Sequence, residues 1–350
     1  MFESLGFETL TPRGASVILG LGIGLLFGIL AEATRFCLRR GLVGPAHERK
    51  PALALWAIAL ATAILGTQGA VAMGWISFEG HRLLAPDLPY LAIALGGLAF
   101  GVGMVLTRGC ASRLTVLTGT GNLRALTVLI VFAIAAHATM KGLLAPLRTA
   151  LGAITLPMGD AISLAALPGG APLAAGILAA AALAYALAAR LPLHQWAAGF
   201  AIGALVPLAW LGTGFVLLDE FDPIAMESLS FTSPLSEALF WAIASSSVAA
   251  GFGIGLFGGS VAGAALSSLA TRRFKWQSFA TPAETGRYIT GGALMGVGGV
   301  LAGGCTLGAG LAGIPTLSVA ALLALGTIAL GAVLANRILA PAPVANPAFG

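Results

Sequence analysis

The chain has 350 residues, of which 58% are hydrophobic and only 9% are charged, and its formal net charge is +5. Soluble domains carry about 25% charged residues, so this composition excludes an ordinary water-soluble protein. The basic residues flank apolar runs and are not interleaved with aromatic residues, so the positive charge does not indicate nucleic-acid binding. Apolar runs near 20 residues long predict an all-α polytopic membrane protein. The strands of a membrane β-barrel would instead alternate apolar and polar residues, which these runs do not.

Nine apolar segments approach the length needed to cross a bilayer as helices. In chain order they cover residues 15–36, 52–75, 90–107, 123–140, 172–189, 195–217, 238–258, 287–302 and 316–338. The first residues, MFESLGFETLTPRG, lack a basic start and a small-residue cleavage site, so we predict no cleavable signal peptide. We predict a single membrane domain over residues 1–350, with internal repeats at approximately 15–190 and 191–340.

The charged loops predict the orientation of the chain. Cytoplasmic loops carry an excess of Lys and Arg, which places basic residues 39–50 after the first span in the cytoplasm. Counting spans onward puts the basic residues 272–275 on the same side and the acidic loop 219–227 on the opposite side. The N-terminus is then periplasmic and the C-terminus cytoplasmic. Lys141 and Arg148 fall on the outer side, against this trend.

One motif occurs twice, as GGLAFGVGMVLTRGC at residues 96–110 and as GGALMGVGGVLAGGC at residues 291–305. Five glycines, one leucine and the final cysteine match at a constant offset, and the chain has only three cysteines. Short glycine-interrupted segments at corresponding positions of two halves are typical of transporters built from repeats. Because the two spans that precede the cysteines run in opposite directions, we predict inverted repeats whose Gly-Cys turns enter from opposite membrane faces.

A weaker repeat links GLGIGLLF at residues 20–27 with GFGIGLF at residues 251–257. In that register Cys37 corresponds to Ser268. The three thiols would then be arranged asymmetrically between the halves.

The residues after each Gly-Cys pair are small or polar and too short to span lipid, so we predict re-entrant loops that lead into half-helices. Half-helix N-termini present unpaired N–H groups and a partial positive charge, which attract anions. Cys110 and Cys305 add one thiol to each of these sites. Hydroxyl groups would serve a hard anion such as sulfate better, whereas a ligand with its own soft sulfur gains from cysteine. A lone buried cysteine is usually a small apolar residue, but two at equivalent ends of a duplicated motif favour a role on the path.

Neighbours of the two cysteines are candidates for lining this path. Gly109 and Gly304 precede them, and glycine lets the backbone approach a ligand closely. Thr306 follows the second cysteine and keeps that turn polar. Arg108 has glycine as its counterpart in the second copy, so it either assists the anion on the inner side or holds its loop.

More distant candidates each have a structural alternative. Gln68 either faces the path or bonds to a neighbouring helix. His137 and Lys141 lie one helical turn apart and form either a basic lining or an interfacial pair with a snorkelling lysine. Cys37 is either a third thiol on the path or a packed residue at a helix end.

Enzymatic and metal-binding patterns are missing from the sequence, which has no H-E-x-x-H motif, P-loop or metal-ligand cluster. We therefore predict neither catalysis nor a cofactor. Glu32 is the one acidic residue deep in a predicted span, and Arg35 lies one helical turn away as a partner.

The Gly-Cys motifs resemble those of the YeeE/YedE family of sulfur-compound membrane transporters. The resemblance rests on GMVLTRGCASR, GVLAGGCTLGAG and RFCLRRG and extends over most of the chain. It implies uptake of thiosulfate across the bacterial inner membrane along an hourglass-like path. It also implies that Cys37, Cys110 and Cys305 pass the ion by S–H···S contacts, and that a small cytoplasmic sulfur carrier of the TusA type accepts the sulfur.

Two alternatives remain beside this interpretation. The first is a transporter for a different substrate, such as sulfite or a selenium species. The second is a membrane subunit that docks a sulfurtransferase and transports nothing itself.

A thiol relay for a dianion also requires that the thiols stay protonated, because thiolates would repel the dianion.

Overall fold

The computed structural model describes residues 11–219 and 222–339, so the first ten residues and Glu220 of the predicted acidic loop lie outside the described residues. The described chain is built from thirteen α-helices and one short sheet. In chain order the helices are α1 (Pro12–Thr34), α2 (Leu38–Val43), α3 (Ala46–Ala72), α4 (Tyr90–Leu106), α5 (Ala111–Gly119), α6 (Leu123–Lys141), α7 (Ala145–Gly152), α8 (Gly170–Ala188), α9 (Leu193–Leu211), α10 (Ser233–Ile243), α11 (Phe252–Ala270), α12 (Pro282–Leu301) and α13 (Val319–Leu339). The sheet pairs β1 (Asp87–Leu88) antiparallel with β2 (Leu156–Pro157).

Nine helical segments within the described ranges are long and apolar enough to cross a membrane, which confirms the predicted class and number of spans. The predicted span 238–258 is wrong in its position. There α10 ends at Ile243, and α11 begins at Phe252 and provides the span. Three consecutive serines, residues 245–247, lie in the interruption and form a turn. Serine side chains compete for nearby backbone groups and disfavour a continuous helix, an effect that hydropathy alone does not register.

Helices α1 and α11 pack through glycines spaced four residues apart on both helices. The glycines are Gly20, Gly24, Gly28, Gly255, Gly259 and Gly263. A methyl group at any of them would lie 2.1–2.3 Å from a backbone oxygen of the facing helix. Residue numbers increase in the same direction along both helices, so α1 and α11 run parallel. Small residues at such a crossing let the two backbones touch, as is common between membrane helices.

The weaker sequence repeat equates Gly20 with Gly251, whereas the contacts between α1 and α11 are reciprocal when Gly20 is equated with Gly255. These contacts define how the two helices pack and do not test which residues correspond in the repeat. The correspondence of Cys37 with Ser268 therefore stays a prediction. Because α1 and α11 run parallel, whereas an inverted repeat relates antiparallel helices, this pair does not add to the evidence for inverted repeats.

Helices α4 and α12, which carry the duplicated motif, pack antiparallel. Gly96 faces the backbone of Gly298, and Gly103 faces that of Gly291. The two Gly-Cys turns therefore leave from opposite ends of this helix pair, as expected for inverted repeats. The end of the bundle at which α12 terminates is called the Gly303 side. The end at which α4 terminates is called the Arg108 side.

Candidate functional site

The two Gly-Cys turns have the same backbone conformation. Each helix is ended by a residue with left-handed φ, Arg108 at 59° after α4 and Gly303 at 74° after α12. The N–H of each donates to the carbonyl oxygen three residues earlier, at 3.2 Å in both copies. A left-handed residue at this position stops the helix and redirects the chain. The duplicated sequence thus produces a duplicated turn, with Gly109 and Gly304 buried just before the cysteines.

The segments after the cysteines differ between the copies. Cys110 is the N-cap of α5, an α-helix of nine residues. Cys305 is instead the N-cap of a π-helical turn of six residues, Thr306–Leu311, which is shorter than the half-helix of the first copy. The Cys305 sulfur accepts a hydrogen bond from the Gly308 N–H at 3.4 Å, and the Phe231 N–H also points at it. Backbone N–H groups therefore point at the thiol of the second copy, and an anion site there stays a prediction.

The structure brings the three thiols into one buried region. Cys110 and Cys305 have no solvent exposure, and Cys37 is partly buried. The Cys37 and Cys110 side chains lie next to each other, with Cys37 at the N-cap position of α2. Cys305 approaches Cys110 from the other side of the bundle. The two turns therefore converge, although they start from opposite ends of the α4–α12 pair.

Hydroxyl groups lie between and beside the thiols. Ser112 Oγ is 3.3 Å from the Cys110 sulfur. The Thr306 side chain also lies beside that sulfur, and its buried hydroxyl has no nitrogen or oxygen partner among the described residues. Buried hydroxyl groups in proteins nearly always have such a partner, so a hydroxyl with only sulfur beside it is consistent with a site that receives a ligand.

Arg113 supplies positive charge on the Arg108 side of the thiols. Its guanidinium lies near both Cys37 and Cys110 and donates to the Ala31 carbonyl oxygen at 3.2 Å. Arg113 is not among the candidate residues predicted from the sequence. Its position three residues after the cysteine, on the first turn of a half-helix, is the signal that would have identified it.

Two of the cavities on the Gly303 side share Arg82 and Ser233 in their walls. One has a volume of about 420 Å³ and extends to Gly308, with Arg82, Glu227 and Glu237 in its wall. The other has a volume of about 270 Å³ and is lined by Arg82, Lys141 and Arg148. Lys141 and Arg148, which broke the charge trend of the sequence, thus face a cavity. Cations within a membrane protein that face a cavity commonly mark an ion path.

The pKa values of acidic and basic groups on the Gly303 side are perturbed by burial. Burial, reinforced by the neighbouring Glu237, raises the pKa of Glu227 to about 7, although Arg82 opposes the shift. Burial and the charge of Arg82 lower the pKa of His81 to about 4, so this histidine is neutral at physiological pH. Burial also raises the pKa of Glu237. Glu227 consequently changes charge near neutral pH.

Three other predicted residues make local contacts. Gln68 Nε2 donates to the Pro315 carbonyl oxygen at 2.6 Å, in line with its structural alternative. His137 Nδ1 lies 3.1 Å from Ser236 Oγ, and the ring stacks on Phe240 with centroids 3.6 Å apart. Arg108 is exposed and lines a cavity of about 180 Å³ on its own side.

Glu32 does not pair with Arg35 as predicted. Its carboxylate accepts a hydrogen bond from Ser267 Oγ at 2.7 Å and forms an ion pair with Arg273 at 3.6 Å. The reason is that Arg35 has left-handed φ and ends α1, so it leaves the helical face on which Glu32 lies. Glu32 instead joins α1 to the end of α11.

Comparison with known proteins gives two findings. The profile of a family described as Sulphur transport matches residues 33–334. The thiosulfate transporter TsuA of Spirochaeta thermophila is 25% identical over 328 residues, which cover 86% of this chain and 92% of that protein. The family profile spans the three cysteines and both Gly-Cys turns.

Proposed function

The chain belongs to the sulphur transport family, and from this premise we propose that it takes up thiosulfate, or a closely related sulfur anion, into the bacterial cytoplasm. The convergence of Cys110 and Cys305 carries the proposal. Two symmetric turns from opposite ends of the bundle bring one thiol each to a common buried region. Similarity to a thiosulfate transporter supports the choice of substrate.

The path runs from the Gly303 side to the Arg108 side through the thiols. Cys305 and the N–H groups around it receive the anion first, followed by Thr306 and Cys110. Cys37 and Arg113 receive it on the far side. At each thiol an S–H group donates to the terminal sulfur of thiosulfate, while N–H and hydroxyl groups donate to its oxygens. These donors replace the water that the dianion loses, which lowers the cost of burying it.

The Arg108 side is cytoplasmic in this proposal. The loop between α11 and α12 lies there, since the Lys275 N–H donates to the Thr120 carbonyl oxygen at 3.2 Å beyond the end of α5. This loop carries Arg272 and Arg273, and positive residues favour the cytoplasmic side of the inner membrane. A TusA-like sulfur carrier would meet the emerging sulfur anion at this side.

The test is uptake of sulfur-labelled thiosulfate by cells that lack other sulfur routes. We expect uptake with the natural chain and its loss with Cys110→Ala combined with Cys305→Ala. Normal uptake by that double variant would remove the relay. Cys→Ser variants keep a donor but lose the soft sulfur, so preserved uptake in them would show that hydrogen bonding alone carries the ion.

Two further measurements separate the alternatives. Proteoliposomes that contain only this chain should take up labelled thiosulfate, and no flux would favour a subunit that docks a sulfurtransferase. Competition of sulfite and of selenium oxyanions with labelled thiosulfate ranks the substrates by affinity. A tenfold preference for one of them corresponds to about 1.4 kcal/mol of binding free energy, which a single charge-assisted hydrogen bond supplies.

A further inference from the structure

Beyond the thiol path, we infer that the cavity lined by Arg82, Lys141 and Arg148 is a separate docking site for divalent oxyanions. At this site the anion is selected by charge before its sulfur is recognised at the thiols. The inference rests on the proposed function, because it places the docking site ahead of Cys305 on the same path.

The lining of the docking site is cationic. Its polar residues are three cations and two hydroxyl residues, namely Arg82, Lys141, Arg148, Thr232 and Ser233. No carboxylate of the described chain lines it, whereas two glutamates line the neighbouring cavity that extends to Gly308. A volume of about 270 Å³ accommodates an oxyanion of four or five heavy atoms together with bridging water.

Two buried polar atoms at this cavity have no hydrogen-bond partner among the described residues. They are the hydroxyl of Thr232, a residue with 4% exposure, and Nε of Arg148. Thr232 occupies the N-cap position of α10, yet its side chain does not cap the helix. Unpaired buried donors are rare in native structures. Both would donate to an oxyanion, and the partial positive charge of the α10 N-terminus would add to the attraction.

Arg82 connects the docking site to the thiols. Its guanidinium donates to the carbonyl oxygen of Gly303 at 3.0 Å, at the start of the second Gly-Cys turn. The same side chain lines the cavity that reaches Gly308, whose N–H donates to the Cys305 sulfur. An anion that leaves the docking site therefore stays beside one cation until it reaches the thiol.

A division of selectivity follows from this arrangement. No thiol lines the docking site within the described chain, and cations with hydroxyl groups do not distinguish a terminal sulfur from an oxygen. Sulfate should bind there about as well as thiosulfate. Discrimination then falls to the soft sulfur of Cys305. Sulfate is consequently expected to compete with thiosulfate uptake without being taken up itself.

The first test compares Lys141→Gln combined with Arg148→Gln against the natural chain in proteoliposomes. We expect the half-saturation concentration for thiosulfate to rise by about tenfold or more while the maximal rate stays within about twofold, as for a loss of binding alone. Arg13→Gln is the matched control, since Arg13 is another exposed cation on this side but lines a different cavity. An unchanged half-saturation concentration, or a fall in the maximal rate alone, would overturn the docking site and indicate interfacial anchors.

The second test measures binding without transport. Purified full-length protein carrying Cys110→Ala and Cys305→Ala is titrated with thiosulfate and with sulfate by calorimetry, after its thermal unfolding confirms a folded state. Both anions should bind, and addition of Lys141→Gln with Arg148→Gln should abolish the binding of both. Failure of both anions to bind, or binding that survives the loss of both cations, would overturn the inference. If the natural chain takes up no thiosulfate yet binds both anions through these cations, the proposed function fails and the docking site stands.

Discussion

Arg108 and Gly303 occupy the same left-handed backbone position in the two Gly-Cys turns, with φ of 59° and 74°. Glycine adopts this conformation freely, whereas another residue loses about 1–2 kcal/mol in it. The chain keeps an arginine there only on the side that we assign to the cytoplasm. Its side chain lines a cavity shared with Arg124 and Tyr288. A strained residue at one of two equivalent positions suggests that the guanidinium itself has a role.

The first prediction is that Arg108→Gly separates the two roles considered for this residue. Glycine fits the left-handed position, so the free energy of unfolding should rise by about 1 kcal/mol. Uptake should nevertheless fall several-fold, because the cation that receives the anion on the inner side is lost. Thermal unfolding of the purified protein and uptake by proteoliposomes measure the two effects.

Arg272→Gly is the matched control, because Arg272 also has left-handed φ, at 54°, but follows α11. It should show the same gain in stability with unchanged uptake. Full uptake by Arg108→Gly would instead assign this arginine to holding the loop.

The second prediction concerns the α1–α11 contact. Gly24→Ala places a methyl group 2.3 Å from the Leu256 carbonyl oxygen, so the helices must separate. We expect a loss of about 1–3 kcal/mol, as for other overpacked positions. Gly22→Ala on the same helix meets nothing within 4 Å and should be neutral or stabilising. Equal midpoints of thermal unfolding for the two variants would contradict the close contact between α1 and α11 at Gly24.

The third prediction is that thiosulfate affinity rises as the external pH falls. The groups that share cavities with Glu227 are Arg13, His81, Arg82 and Glu237. Glu227 has a pKa of about 7, so it becomes neutral below that pH, whereas its ionised form above it repels the anion and attracts Arg82. Neutral Glu227 leaves Arg82 free for the anion. His81, with a pKa of about 4, does not change charge in this range.

Half-saturation concentrations measured at about pH 6 and about pH 8 test this dependence. The value should be several-fold lower at the acidic pH. Glu227→Gln should keep the low value at both pH values, because it mimics the protonated carboxyl. An unchanged pH response in this variant would assign the dependence to another group.

The features that the sequence predicted correctly are those that a local sequence pattern determines. Hydropathy identified nine spans, and the duplicated Gly-Cys motif identified two turns and their opposite directions. The misplaced span shows where such a pattern fails. The serines at 245–247 lie inside an apolar stretch, so mean hydropathy did not reveal the break between α10 and α11.

The docking site shows what sequence pattern does not contain. Its cations come from the loop before α4, the end of α6 and helix α7, while Thr232 precedes α10. No local periodicity relates these positions, and only the folded bundle brings them together. Lys141 and Arg148 did carry a signal, since they opposed the charge trend of the loops. The lack of a nitrogen or oxygen partner for the Thr306 hydroxyl likewise depends on its three-dimensional surroundings and not on its residue type.

The final prediction is that Thr306→Val impairs transport without destabilising the protein. Valine has the same shape as threonine, and the buried Thr306 hydroxyl has only the Cys110 sulfur beside it in the described chain. Removing a buried hydroxyl that has no nitrogen or oxygen partner should leave the free energy of unfolding unchanged or raise it by about 1 kcal/mol. If that hydroxyl donates to the passing dianion, its loss removes a charge-assisted hydrogen bond and weakens apparent affinity by about tenfold.

Thr115→Val provides the comparison for this variant. Thr115 is equally buried in α5, but its hydroxyl already donates to the Ala111 carbonyl oxygen at 3.0 Å. Thr115→Val should leave uptake unchanged, because this hydroxyl has no capacity left to donate to an anion. If Thr306→Val keeps or raises stability but lowers uptake, the Thr306 hydroxyl belongs to the substrate path, because packing alone would favour valine at this position. Equal uptake by Thr306→Val and the natural chain would instead place the anion away from Thr306 and leave backbone N–H groups as the donors between Cys305 and Cys110.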